Sequence, residues 1–179
     1  MEDIKICAVK VSAKIPNTDL LELENFCNKN KIRCRRFNRQ HLVVYDEYTY
    51  TFFKKSQNSY ADQHVNISKL KAINDIPDCI HHLAWLIDTE PKFIFHQIDN
   101  ITSVTNLRRK IDLEQFIDEN DDLIGLINYN AEIFPGLFVR GPKGKAILFR
   151  SGKIVFVGCK NREQVDNLNT FIRERCVNM

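Results

Sequence analysis

Between Ile133 and Lys160 the chain interleaves large apolar residues with cations, and the spacing gives that mixture a chemistry. Ile147, Phe149, Val155 and Val157 fall at period-two positions on either side of a Ser151-Gly152 turn, which places them on one face of an antiparallel meander. Arg140, Lys143, Lys145, Arg150, Lys153 and Lys160 lie around that face. A sheet face that is apolar and rimmed with cations suits a ligand that is apolar inside and anionic along its edges, and the minor groove of DNA is such a ligand. The plain alternative is that the apolar residues fill a core and the cations are solvated.

Catalytic chemistry finds little support. His81 and His82 are adjacent, so on a helix they diverge by about 100° instead of forming the i, i+4 pair a metal site favours. Asp118-Glu119 and Asp121-Asp122 read as a solvated acidic loop at a helix end. Glycine is absent before Gly125, so no glycine-rich phosphate loop exists in that stretch. No nucleophile with its base and no carboxylate pair takes a defined place. The expectation is a protein that is not an enzyme and carries no cofactor or metal.

The six cysteines show no close pairing, and no secretory signal is visible, which predicts free thiols in a reducing compartment. No apolar run approaches the roughly 20 residues that span a bilayer. The expected location is therefore intracellular, with no membrane partner. A net charge of +3 is too mild to identify a nucleic-acid binder; what matters is where the cations sit.

The 179 residues divide into two halves with one order of elements, 1–90 and 91–179. In the second, 93–105 reads as a strand, 111–119 as a short helix, 123–160 as the meander, and 161–177 as a helix with a stripe of Val165, Leu168, Phe171, Ile172 and Cys176. In the first, 4–13 reads as a strand and 17–28 as a helix capped by Asn17 or Thr18. Strands follow near 32–37, 41–46, 48–54 and 63–67, then a helix over 76–87. Phe37 and Phe53 stand nearly as far apart as Phe134 and Phe149, as a duplication or chance would give.

The second half resembles the second repeat of the TATA-binding protein family. The residues that carry the resemblance are Glu132-Ile133-Phe134-Pro135-Gly136-Leu137, Val139-Arg140, Phe149-Arg150-Ser151-Gly152-Lys153 and Val157-Gly158-Cys159-Lys160. Order and spacing hold over about thirty residues. In the first half Arg35-Arg36-Phe37 resembles the family's Lys-Arg-Phe, but the Ser-Gly-Lys turn is replaced by Lys54-Lys55-Ser56-Gln57-Asn58 and the closing Thr-Gly-Ala-Lys is absent. The family's first-repeat Asn would fall near Ile6 and is missing, while its second-repeat counterpart is Asn100.

The resemblance implies an α+β saddle of two repeats, a curved antiparallel sheet with helices on the convex side. The repeats would be a degenerate one over 1–90 and a well-matched one over 91–179. It implies that Phe134 and Phe149 wedge a base step open, with Phe37 and Phe53 as the matching pair. Asn100 would reach base acceptors, Ile147, Val155 and Val157 would lie against sugars and base edges, and Arg140, Ser151, Lys153, Lys160 and Arg36 would contact phosphates. Lys54 and Lys55 are further first-half cations of that kind. Glu132 and Ile133 match the loop where the family docks a transcription factor of the B type.

The function so implied is transcription initiation: binding and bending AT-rich promoter DNA as a monomer and recruiting a transcription factor B-like protein and the RNA polymerase machinery. The setting would be a nucleus, or a cytoplasmic viral factory if the lineage is that of a large DNA virus. Two rivals stand beside it. One is a saddle-fold protein-interaction module in transcription with weak or no DNA binding, which an exposed polar or acidic first-half face would favour. The other is an accessory domain of a nucleic-acid enzyme, against which a complete two-half chain would speak.

Overall fold

The computed structural model describes residues 4–53 and 63–176. Its chain packs as two compact units: Ala8–Asp99, and Asn100 onward together with the chain start up to Cys7.

In the first unit, β1 (Lys5–Ile15, here from Ala8) leads into α1 (Leu20–Lys29), then β2 (Arg33–Asn38), β3 (His41–Tyr45), β4 (Thr49–Phe53), β5 (Gln63–Leu70) and α2 (Ile76–Leu86). The strands pair antiparallel in the order β2-β3-β4-β5-β1. Burial alternates along β4 and most of β5, while β2 buries none of its residues and β3 buries Val43 between Leu42 and Val44. Leu42, Val44, Tyr50, Phe52, Val65, Ile67, Val11 and Ala13 are buried, while their neighbours in sequence point to the opposite face. Leu20, Leu23 and Cys27 of α1 and Cys79, Ile80 and Leu83 of α2 supply the helical side of this core. The α1 cap is Asp19, whose carboxylate accepts from the Leu21 and Glu22 backbone N–H groups, and not Asn17 or Thr18. Thr18 is engaged elsewhere, its backbone N–H bonded to Gln63 Oε1 and its hydroxyl to the Pro16 carbonyl.

The second unit contains β6 (Phe95–Asn106, here from Asn100), α3 (Leu113–Asp118), β7 (Ile127–Asn128), β8 (Gly136–Gly141), β9 (Gly144–Phe149), β10 (Lys153–Cys159) and α4 (Arg162–Cys176). Its strand order is β6-β10-β9-β8-β7, all antiparallel. Leu137, Val139, Ala146, Leu148, Ile154, Phe156 and Ile101 are fully buried, and Val165, Leu168, Ile172 and Cys176 of α4 are buried with them. Phe171, expected in that stripe, is only half-buried and lies under the Arg175 guanidinium at 3.8 Å. Asp112 caps α3, and the Gln115 backbone N–H chiefly holds its carboxyl below the usual carboxylate range. The Ser151-Gly152 turn needs its glycine: Gly152 has a φ of 86°, and a Cβ there would run into the Arg109 carbonyl. Among the described residues no helix is long and apolar enough to cross a membrane.

Candidate nucleic-acid interface

In the second unit one sheet face is packed by helices and the other is open. Across the open face the register sets Phe138, Ile147, Val155 and Val104 side by side on β8, β9, β10 and β6. All four are half-buried. Beside this row Arg140 pairs with Lys145, and Lys145 with Val157. Ile147, Phe149, Val155 and Val157 thus share the face their spacing predicted. Phe138 joins them unannounced. The signal for it was available, since it sits two residues from both Gly136 and Arg140 on the same strand.

Phe134 and Phe149 come together at one end of that face, their ring centroids 5.9 Å apart at 65°. Phe134 also packs on Phe138 at 5.2 Å and keeps 38% of its surface exposed. Gly136, opposite Phe149 in the register, makes the contact possible. A Cβ there would lie 2.6 Å from Phe134 Cε1 and 2.7 Å from Ile147 Cγ2, inside contact distance.

Among the described residues the strands of the second-unit open face carry no carboxylate: their polar members are Asn100, Thr102, Asn106, Asn128, Arg140, Lys145 and Lys153. Asn100 Oδ1 accepts from the Gly158 N–H, and Nδ2 donates to Thr102 Oγ1. Ser151 and Lys153 sit in the exposed turn next to Phe149, where Ser151 Oγ accepts from the Lys153 N–H. Lys160 is exposed just ahead of α4. Arg150 does not belong to this rim, because Glu114 of α3 holds it at 2.5 and 2.6 Å. Glu132 and Ile133 occupy the exposed loop before Phe134, with Ile133 81% exposed. Asn130 builds that loop: its side chain accepts from the Glu132 N–H, and its carbonyl from the Ile133 and Phe134 N–H groups.

The open face of the first unit has the same frame and different chemistry. Its corresponding row reads Val43, Thr51, Asn66 and Ser12, largely polar where the second unit is apolar. Ser12 donates its hydroxyl to Asp99 at 2.9 Å. Phe37 and Phe53 are 49% and 38% exposed, but they do not meet: His41 stacks between them, 4.9 Å from one and 4.8 Å from the other. Arg36 turns to the helix side, where Glu24 and the Leu20 carbonyl of α1 hold it, while Arg35 lies over the Phe37 ring at 4.7 Å. Lys54 and Lys55 lie outside the described residues.

The two irregular strands fix the remaining correspondence. β5 and β10 each carry one extra residue next to a left-handed one: Leu70 pairs with Val9 after Lys69 (φ 73°), and Cys159 with Ile101 after Gly158 (φ 89°). The counterpart of Asn100 is therefore Ala8, two residues beyond the Ile6 that the sequence suggested.

Comparison with known proteins agrees with this picture. Residues 95–175 match the family model of transcription factor TFIID, or TATA-binding protein. A TATA-box-binding protein of Pyrobaculum aerophilum is 38% identical over 74 residues, 40% of this chain and 35% of that protein. TATA-box-binding protein 2 of Haloferax volcanii is 41% identical over 71 residues, 38% of this chain and 36% of that one. The matched segments thus span little more than a third of each relative. The Methanococcus jannaschii TBP structure superposes with a TM-score of 0.77 at 21% identity, covering 99% of both chains, which shows the α+β fold.

Proposed function

We propose that this chain, whose residues 95–175 match the TATA-binding-protein family model, is a transcription factor that binds AT-rich DNA through the minor groove and bends it. The observation that carries this reading is the second unit's open face: an apolar row ending in the Phe134–Phe149 pair, with Arg140, Lys145 and Lys153 beside it. An aromatic pair entering a base step replaces part of the stacking it destroys, and the bend brings more of the apolar surface onto sugars and base edges. Ile147, Val155 and Val157 supply that surface. The guanine amine would clash with it, which favours A·T pairs. Arg140, Lys153, Lys160 and the Ser151 hydroxyl reach phosphates, and Asn100 reaches base acceptors with its free amide hydrogen.

Glu132 and Ile133 are the surface offered to a transcription factor B-like partner, and through it to RNA polymerase. The protein would act as a monomer on DNA. The rival, an interaction module with weak DNA binding, draws its support from the first unit, where Thr51, Asn66 and Ser12 replace the apolar row.

The deciding experiment is binding to a short AT-rich duplex at low and moderate salt, with bending read by end-to-end fluorescence transfer. The expected result is that the wild type binds and bends, and that Phe134→Ala/Phe149→Ala loses the bend. Failure of both to bind, or equal binding without bending, would transfer the support to the interaction module.

A further inference from the structure

Gly136 and His41 hold the same place in their units, each directly across from the second phenylalanine of a pair: Gly136 from Phe149, His41 from Phe53. In one unit the missing side chain lets the two rings touch. In the other an imidazole fills the space. Phe37, His41 and Phe53 form a three-ring stack with interplanar angles of 22° and 23°. Arg35 lies over Phe37 as well, and His41 Nε2 is buried without a hydrogen-bond partner among the described residues. The two phenylalanines are thus held a full ring apart, where the second unit presents one edge-to-face pair.

We propose that His41 makes the distortion of DNA one-sided. The argument rests on the minor-groove reading above. A base step opened by a wedge admits one aromatic pair, because each ring that enters must fill a gap of one ring's thickness. The Phe134–Phe149 pair meets that limit. The Phe37–His41–Phe53 block exceeds it, so it lies against the groove wall and leaves the step beneath it stacked. The flanking row, with Thr51, Asn66 and Ser12 in place of Ile147, Val155 and Val104, also lacks the apolar surface that would offset unstacking. His41 acts through the two phenylalanines and is a positioning residue. The kink would mark which way round the protein sits on the duplex.

The test places 2-aminopurine, whose fluorescence rises when it unstacks, at either end of the bound AT-rich site in separate duplexes. With the wild type we expect a several-fold rise at one end only. Phe134→Ala/Phe149→Ala should abolish that rise. His41→Gly should add a rise at the silent end, with His41→Ala as a second variant that keeps better strand propensity. Thermal melts identify any variant that has failed to fold. A wild-type rise at both ends overturns the inference while leaving minor-groove binding intact. So does a silent end that stays silent in both folded His41 variants. Absence of wild-type binding removes the functional reading itself, and this inference with it.

Discussion

The side-chain carbonyl of Asn100 accepts a 2.5 Å hydrogen bond from the backbone N–H of Gly158, which commits its amide nitrogen to the open face. Asn100→Asp keeps the acceptor but turns a donor into an anion there. Binding to an AT-rich duplex should fall at least tenfold, roughly 1.4 kcal/mol, with the melting temperature little changed. Titration by fluorescence anisotropy, paired with a thermal melt, checks this. Equal affinity in Asn100→Asp would remove Asn100 from the interface.

The open-face cations should be legible in salt dependence. Each phosphate neutralised contributes about 0.9 to the slope of log affinity against log salt. Arg140→Gln, Lys145→Gln and Lys153→Gln should each flatten the slope by about that amount. Arg150→Gln should not, since Glu114 already pairs with Arg150. If Arg150→Gln flattens the slope as much as Lys153→Gln does, the rim has been misassigned.

Two glycines should respond differently to alanine. At Gly152 the positive φ and the Arg109 carbonyl both oppose a Cβ, so Gly152→Ala should cost more than about 1 kcal/mol in urea denaturation. At Gly136 the obstacles are the Phe134 and Ile147 side chains, which can move. Gly136→Ala should therefore weaken DNA bending more than it lowers the urea midpoint. The reverse ranking in the denaturation curves would contradict the packing described here.

Alkaline pH should loosen the fold through its buried thiols. Burial pushes Cys27 from 9.0 to about 12, and Cys79 and Cys176 to about 11. Burial raises Tyr50 as well. The folded values lie above the unfolded ones, so the unfolded chain loses protons first. The stability these groups hold is full below about pH 9 and is lost as pH rises toward about 12. Urea midpoints should be level to about pH 9 and then fall, and Cys27→Ala should show a shallower decline. Parallel declines in the two proteins would show that Cys27 carries none of the effect.

The elements were largely legible because burial alternates along β9 and β10 and recurs at Val165, Leu168, Ile172 and Cys176 of α4. What sequence missed was of a different kind. Asp19 was overlooked as a cap because Asn17 and Thr18 also fit, and Gln63, distant in sequence, decides between them by engaging Thr18. Arg36 looked like a phosphate ligand until Glu24 of α1 took it. His41 was invisible because its meaning lies in a register with Phe53 that no local pattern encodes.

Lys69 holds a backbone conformation that glycine adopts freely and that costs another residue roughly 1–2 kcal/mol. Its counterpart, Gly158, carries no such cost. The main chain of the first unit therefore follows the same course with a residue less suited to it, much as its face keeps the same register with Asn66 and Ser12 where Val155 and Val104 stand in the other. The two units thus share a frame and differ in surface chemistry, and the strain at Lys69 lowers thermal tolerance that Lys69→Gly should give back in a thermal melt.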